Sequence, residues 1–272
     1  MSLTVLNSIS SLNAENALSS TQMSLQKTLT ELSTGLKINS GSDDAAGLAI
    51  ANGLGANISA LTQSSQNASD GVGLLQTADG ALSQVTSLLN RAVTLATEAS
   101  TGGLSTSQAT ALNTEYTSIL NEIGNIGSTT NFNGEAIFGT TASVYTSDGS
   151  STGDATISTT IGALTTTALA LTGTNLTSTT GAQTALTDIT AAIATVAANR
   201  GSIGAAVNQL TADQSVENTE VTNLTSAQNN IQNADVGQTV AQMTQFNVLE
   251  QTGMAALSQS NSAQQAVLKL LQ

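Results

Sequence analysis

The chain has no cysteine, histidine, proline or tryptophan, and 8% of its 272 residues are charged. Each absence removes a class of function. Without imidazole or thiolate there is no ready general base near neutral pH, no cysteine nucleophile and none of the nitrogen or sulfur ligands that zinc favours. An enzyme is therefore not expected, nor a bound metal or cofactor. The lack of cysteine excludes a disulfide framework, and the lack of proline permits long unbroken helices. Aromatics make up 2% of residues, too few for an ordinary core. Eighteen acidic residues against five basic ones give a net charge of -13. That balance repels nucleic acid and anionic membrane surfaces, so neither is an expected partner. No apolar run is long enough to span a bilayer, and the first residues lack a basic and then apolar leader pattern. The expectation is a cytoplasmic protein or one exported without a cleaved signal.

What the chain does have is Ala, Ser, Thr, Leu, Gly, Asn and Gln in helical periodicity. Leu18, Leu25, Leu29, Leu32 and Leu36 are spaced seven, four, three and four apart, which predicts a helical seam. Leu75, Ala78, Leu82, Val85, Leu89, Ala92, Ala96 and Ala99 alternate three and four as a heptad register that ends at Thr101-Gly102-Gly103. Leu112, Tyr116, Ile119, Ile123 and Ile126 predict a shorter helix stopped by Gly127. Leu186 to Ile231 carries the longest register, with Arg200, Gln214, Glu217 and Gln228 as polar members. A last helix carries Val236, Val240, Met243, Phe246, Leu249, Met254 and Leu257 towards Leu268 and Leu271. From Thr140 to Gly181 the texture changes to Ser, Thr and Gly, with short alternating pieces around Asp148-Gly149, a hairpin-turn signal. This segment reads as a small β or irregular module, with a disordered linker as the alternative.

The fold class expected is thus mainly α: long antiparallel coiled-coil helices contributed by the N- and C-terminal halves, with a small β insertion in the middle. The divisions are 1–41 (terminal helix and turn), 42–139 and 182–232 (two halves of a helical rod), 140–181 (insertion) and 233–272 (terminal helix). Two terminal amphipathic helices cannot cover all of their own apolar surface, so they need neighbouring copies or another partner.

Candidate sites are few. Asp43 and Asp44 lack the oxygen spacing of a calcium loop; the better reading places Ser42 as an N-cap with both aspartates in the first turn of a helix. Arg91 and Arg200 lie on or beside sparsely charged seams and fit either ion pairs with a neighbouring copy or side chains reaching to solvent. Met23, Met243 and Met254 read as gap-fillers, and Gly71, Gly73 and Gly80 as points of close helix packing.

The segments "LSTGLKINSGSDDAAGLAIANGL" (Leu32 to Leu54), "NASDGVGLLQTADGAL" (Asn67 to Leu82), "NFNGEAIF" (Asn131 to Phe138) and "NNIQNADVGQTVAQMTQFNVLEQTGMAALSQSNSAQQAVLKLL" (Asn229 to Leu271) resemble, in order, the conserved ends of bacterial flagellin. The resemblance implies a structural subunit that self-polymerises into the extracellular flagellar filament, exported through the flagellar type III channel. Implied partners are other copies of the subunit, an export chaperone, and the hook-filament junction and cap proteins. The self-assembly seam would be Leu18, Leu25, Leu29, Leu32, Leu36, Val240, Met243, Phe246, Leu249, Leu257, Leu268 and Leu271. Flagellins of some bacteria are read by an animal innate immune receptor, and Arg91, Leu95 and Glu115 align with the residues it reads. The chain departs from the family where arginines are usual, carrying Glu31 and, from Ala227 to Asp235, Gln and Asn; neutral amide hydrogen bonds and apolar packing are expected in their place. The alternatives are a hook-filament junction protein and a soluble coiled-coil adaptor.

Overall fold

In a computed structural model that describes residues 9–149 and 156–270, the chain is mainly helical. Its elements are α1 (Ile9–Thr34), α2 (Ala45–Ala99), α3 (Thr106–Thr129), β1 (Asn131–Phe132), β2 (Glu135–Ala136), β3 (Thr140–Tyr145), β4 (Thr156–Ile161), α4 (Thr179–Gln232) and α5 (Val236–Leu270). They divide into two compact units, one made of the chain up to Ala56 together with Leu224 onward, the other of Asn57 to Asn223.

The unit formed by Asn57 to Asn223 holds the hydrophobic core. Every member of the α2 heptad register from Leu75 to Ala99 named above is at most 4% exposed. On α4, Ile189, Val196, Ile203, Leu210 and Glu217 repeat every seven residues and are all buried. Ala182, Ala185, Ala192 and Ala206 fill the rest of that stripe. Small residues opposite large ones let two helices approach closely while filling the space between them. The α3 helix adds Tyr116, Ile119, Leu120 and Ile123. Its start is fixed by a capping box, with the Ser105 side chain accepting from the Gln108 amide.

Several local readings of the sequence are corrected here. Gly127 does not stop α3, which continues to Thr129; a Cβ at Gly127 would meet the backbone carbonyl of Leu164, so its role is close packing. Of Gly71, Gly73 and Gly80, only Gly71 is tightly approached, by Val144 of β3, whereas a Cβ at Gly80 would meet nothing within 4 Å. Asp148-Gly149 is not a two-residue hairpin turn: β3 pairs antiparallel with β4 from Thr140 opposite Ile161 to Tyr145 opposite Thr156, and that dipeptide begins a longer connection. The tight hairpin lies elsewhere, in "NFNG". β1 and β2 pair across Asn133-Gly134, both at positive φ (52° and 85°), the backbone that a type I′ turn requires.

The polar insertion is ordered by leucines. Leu164, Leu169, Leu171 and Leu176 are at most 2% exposed. The loop that carries them is pinned to α3, where Asn113 Oδ1 accepts from the Leu176 amide at 2.8 Å and the Tyr116 and Thr174 hydroxyls lie 2.6 Å apart. Burial raises the Tyr116 phenol above its ordinary pKa. A disordered linker is therefore excluded for 156–178.

Gly127→Ala forces the Leu164 backbone away from α3 and is expected to destabilise by about 1–3 kcal/mol. Gly124→Ala, on the same helix with open space at its Cβ, is expected to stabilise by up to about 1 kcal/mol. Thermal unfolding of the two variants should move in opposite directions; a Gly127→Ala protein as stable as the parent would contradict the packing role.

Candidate self-assembly site

The unit formed by the two chain ends is built differently. Helices α1 and α5 run antiparallel: Ser11 and Ser260 hydroxyls lie 2.8 Å apart, and Gln22 Nε2 donates to Glu250 Oε1 at 3.2 Å. Between these points Leu18 lies against Gly253, where an added Cβ would come within 3.3 Å of it. The return of the chain is locked by backbone hydrogen bonds, Lys37 N to Gln232 O at 2.7 Å and Ala234 N to Gly35 O at 2.9 Å, around a bridge between Leu36 and Asn233. Asp235 caps α5, its Oδ1 accepting from the Gly237 and Gln238 amides at 2.9 and 3.2 Å.

Asp43 and Asp44 serve this junction, though not as the sequence suggests. Asp44, not Ser42, caps α2, accepting from the Gly47 amide at 2.9 Å. Asp43 lies outside the helix and ties the preceding turn: it takes Lys27 Nζ at 3.2 Å, and the Ser40 and Asn39 amides at 3.0 and 3.2 Å. Lys27 foremost, then the Ser40 hydroxyl, holds its carboxyl down to about 2. Among the described residues no group of three His, Cys, Asp or Glu side chains could hold a metal ion. None of the helices there is long and apolar enough to cross a membrane.

Among the described residues of α1 and α5, the two buried side chains are the polar Thr28 and Thr239, each 4% exposed, and each hydroxyl bonds the carbonyl four residues earlier. Leu18, Leu25, Leu32, Met243, Phe246 and Leu257 are half-buried. Leu29, Val240 and Leu249 are 46%, 40% and 45% exposed. Leu36 lies beyond the end of α1, so it belongs to the locked return rather than to the helical seam. Leu271 and the side chain of Leu268 lie outside the described residues. Met23 and Met254, expected as gap-fillers, are 64% and 49% exposed. The pattern read from the sequence did not distinguish the half-buried members from the exposed ones, because one amphipathic stripe serves both roles.

Both arginines form ion pairs within the chain. Arg200 grips Asp79 with two hydrogen bonds, 2.7 Å from Nε and 3.1 Å from Nη2, which lowers the Asp79 carboxyl and raises the guanidinium. Arg91 meets Glu115 at 2.7 Å. Leu95 is 1% exposed in the core, so of Arg91, Leu95 and Glu115 the two charged residues alone present surface. Gln228 donates its amide to the Ala51 carbonyl at 3.1 Å.

This arrangement defines a class: a helical structural protein whose core lies in one unit and whose terminal helix pair leaves large apolar side chains exposed. Residues 5–143 match the bacterial flagellin N-terminal helical region, and residues 186–271 the flagellin C-terminal helical region. The chain is 33% identical to a flagellin of Halalkalibacterium halodurans over 90% of its own length and 91% of the relative's. It is 30% identical to a flagellin of Bacillus subtilis over 97% and 98%. The crystal structure of Bacillus cereus flagellin superimposes with a TM-score of 0.50 and 30% identity, over 56% of this chain and 88% of that one. The chain belongs to the bacterial flagellins, structural subunits that self-polymerise into the flagellar filament. The junction-protein alternative is not favoured by these likenesses.

Because its pKa is depressed, Asp43 stabilises the fold above the ordinary carboxylate range and loses that contribution as pH falls through about 2. Asp43→Asn is therefore expected to lower the melting temperature at neutral pH and to converge with the parent as pH approaches about 2. A gap that persists unchanged into strong acid would contradict this role.

Proposed function

We propose that copies of this chain join through the outward apolar residues of α1 and α5, with Leu29, Val240 and Leu249 at the seam. The observation that carries the reading is the distribution of exposed large apolar side chains. Apart from Ile50, Tyr145 and Val216, every one described lies on α1 or α5: Ile9, Leu12, Met23, Leu29, Val236, Val240, Val248, Leu249 and Met254. A concentration of this kind marks an interaction surface. Contacts between such helices are heterologous and need not close, which is what a filament requires.

The inner residues Leu18, Leu25, Leu32, Met243, Phe246 and Leu257 hold the helix pair together, and the outer ones meet the next copy. Before assembly the same faces need cover, which is the part of an export chaperone; cap and junction proteins would meet them at the filament ends. A chain free of cysteine suits passage through a narrow export channel without a cleaved signal, because no crosslink can form to block an extended polypeptide. Recognition by an animal innate immune receptor would fall on the Arg91–Glu115 pair, and Arg91→Ala should abolish any signal in a receptor-reporter assay.

Leu29→Ser combined with Leu249→Ser removes two exposed leucines without touching the buried core. The monomer should keep its helical circular dichroism, while the concentration needed for seeded polymerisation rises at least about tenfold, since each lost burial contributes about 1 kcal/mol or more. Unchanged polymerisation by a variant of normal helicity would overturn the proposed seam.

A further inference from the structure

The α4 heptad stripe contains one acid. Glu217 follows Ile189, Val196, Ile203 and Leu210 at the same seven-residue interval and is 6% exposed. Across from it on α2, Ser64 is 2% exposed, between Leu61 and Ala68, both buried. The Ser64 hydroxyl donates to Glu217 Oε1. Glu217 Oε2 is buried and has no hydrogen-bond partner. An ionised carboxylate in that position leaves a charged oxygen without a protein donor, a costly state for any buried group.

No cation is at hand to compensate. Of the five basic residues, Arg91 and Arg200 fall between Asn57 and Asn223, and both are committed, to Glu115 and Asp79. The ionisable groups that act on Glu217 are Asp213 and Glu220 on its own helix, both acidic. Asp213 in turn accepts from Thr146 in the loop after β3, which also carries Asp148. The facing helix has no ionisable side chain from Ala45 to Ser69. Oε2 is too enclosed for a side chain of another copy to reach it. What remains small enough is a proton.

We propose that Glu217 with Ser64 is a proton-binding site that makes the α2–α4 pairing tighter in acid and looser towards neutral pH. With the proton in place the carboxyl O–H donates to Ser64 Oγ. The serine hydroxyl then turns to the Ala60 carbonyl four residues earlier, as Thr62 does to Ile58. The orphaned oxygen becomes a neutral carbonyl. Burial foremost lifts the carboxyl above its ordinary range; the Ser64 hydrogen bond opposes the rise and the neighbouring Asp213 and Glu220 add to it. A group raised in the folded state stabilises fully below its unfolded pKa and loses that effect as pH rises through the folded one. This inference does not depend on filament assembly; it concerns the folded subunit.

The test is thermal unfolding of the full-length parent and Glu217→Gln monomers from pH 4 to pH 7, with a carbon-13 NMR titration of the Glu217 carboxyl. Glutamine mimics the protonated acid at every pH. The two melting temperatures should converge at the acidic end, and the parent should fall about 2–4 °C below the variant at pH 7. The carboxyl midpoint should lie above the ordinary glutamate range. A gap that does not change with pH, or a parent more stable than the variant at pH 7, would overturn the proposal. If Glu217→Gln does not fold, the parent's NMR midpoint decides alone, and a value at or below the ordinary range refutes it.

Discussion

Everything in this molecule turns on apolar surface that a pair of helices cannot hide from water. Two amphipathic helices packed against each other cover the stripe between them and leave their flanks wet. In α1 and α5 those flanks carry Leu29, Val240, Leu249 and their exposed neighbours, while the buried positions among the described residues of the pair go to Thr28 and Thr239. The unit from Asn57 to Asn223 is the opposite case, with a continuous core from Ala68 to Leu210. One unit buries a continuous core; the other leaves large apolar side chains exposed.

A chain so poor in charge must satisfy its polar groups in other ways. Serine and threonine hydroxyls along the helices bond the carbonyl four residues back, as Thr86, Thr97, Thr211 and Thr219 do. Their donors are consumed by the helix's own backbone, so the helix surface is weakly polar without charge. Gln228 bonding the Ala51 carbonyl shows the same economy with a neutral amide. Three ion pairs are placed at joints: Asp43 and Lys27 at the turn into α2, Arg200 with Asp79 across α2 and α4, and Arg91 with Glu115 across α2 and α3. Glu217 is the exception, an acid placed in the seam itself.

The heptads were legible in the sequence because period is a global property of a helix, and many residues vote for the same register. Leu75 to Ala99 are all buried as expected; of the α4 register, Ile189, Val196, Ile203, Leu210 and Glu217 are buried, whereas Leu186, Ile193 and Val207 are half-buried and alanines fill the stripe instead. Local punctuation was less legible. Ser42 and Asp44 are both good caps by type, and the choice fell to Asp44 because Asp43 was drawn out of the helix by Lys27. Gly127 carries a stop signal in sequence, but its neighbour in space, Leu164, is remote along the chain. Nothing local shows that Leu164, Leu169, Leu171 and Leu176 lie inward from a threonine-rich loop. Among the candidate seam residues, the division between inner and outer faces depends on the antiparallel stagger of α1 and α5, which periodicity alone does not encode.

The central claim is that α1 and α5 are left unfinished by folding and completed by other copies. Hydrogen–deuterium exchange on monomer and filament tests it most directly. The account predicts that residues 57–223 are well protected in the monomer and change little, whereas amides of α1 and α5 exchange fast in the monomer and gain protection on polymerisation. Equal protection of α1 and α5 in both states, or gains confined to residues 57–223, would contradict it.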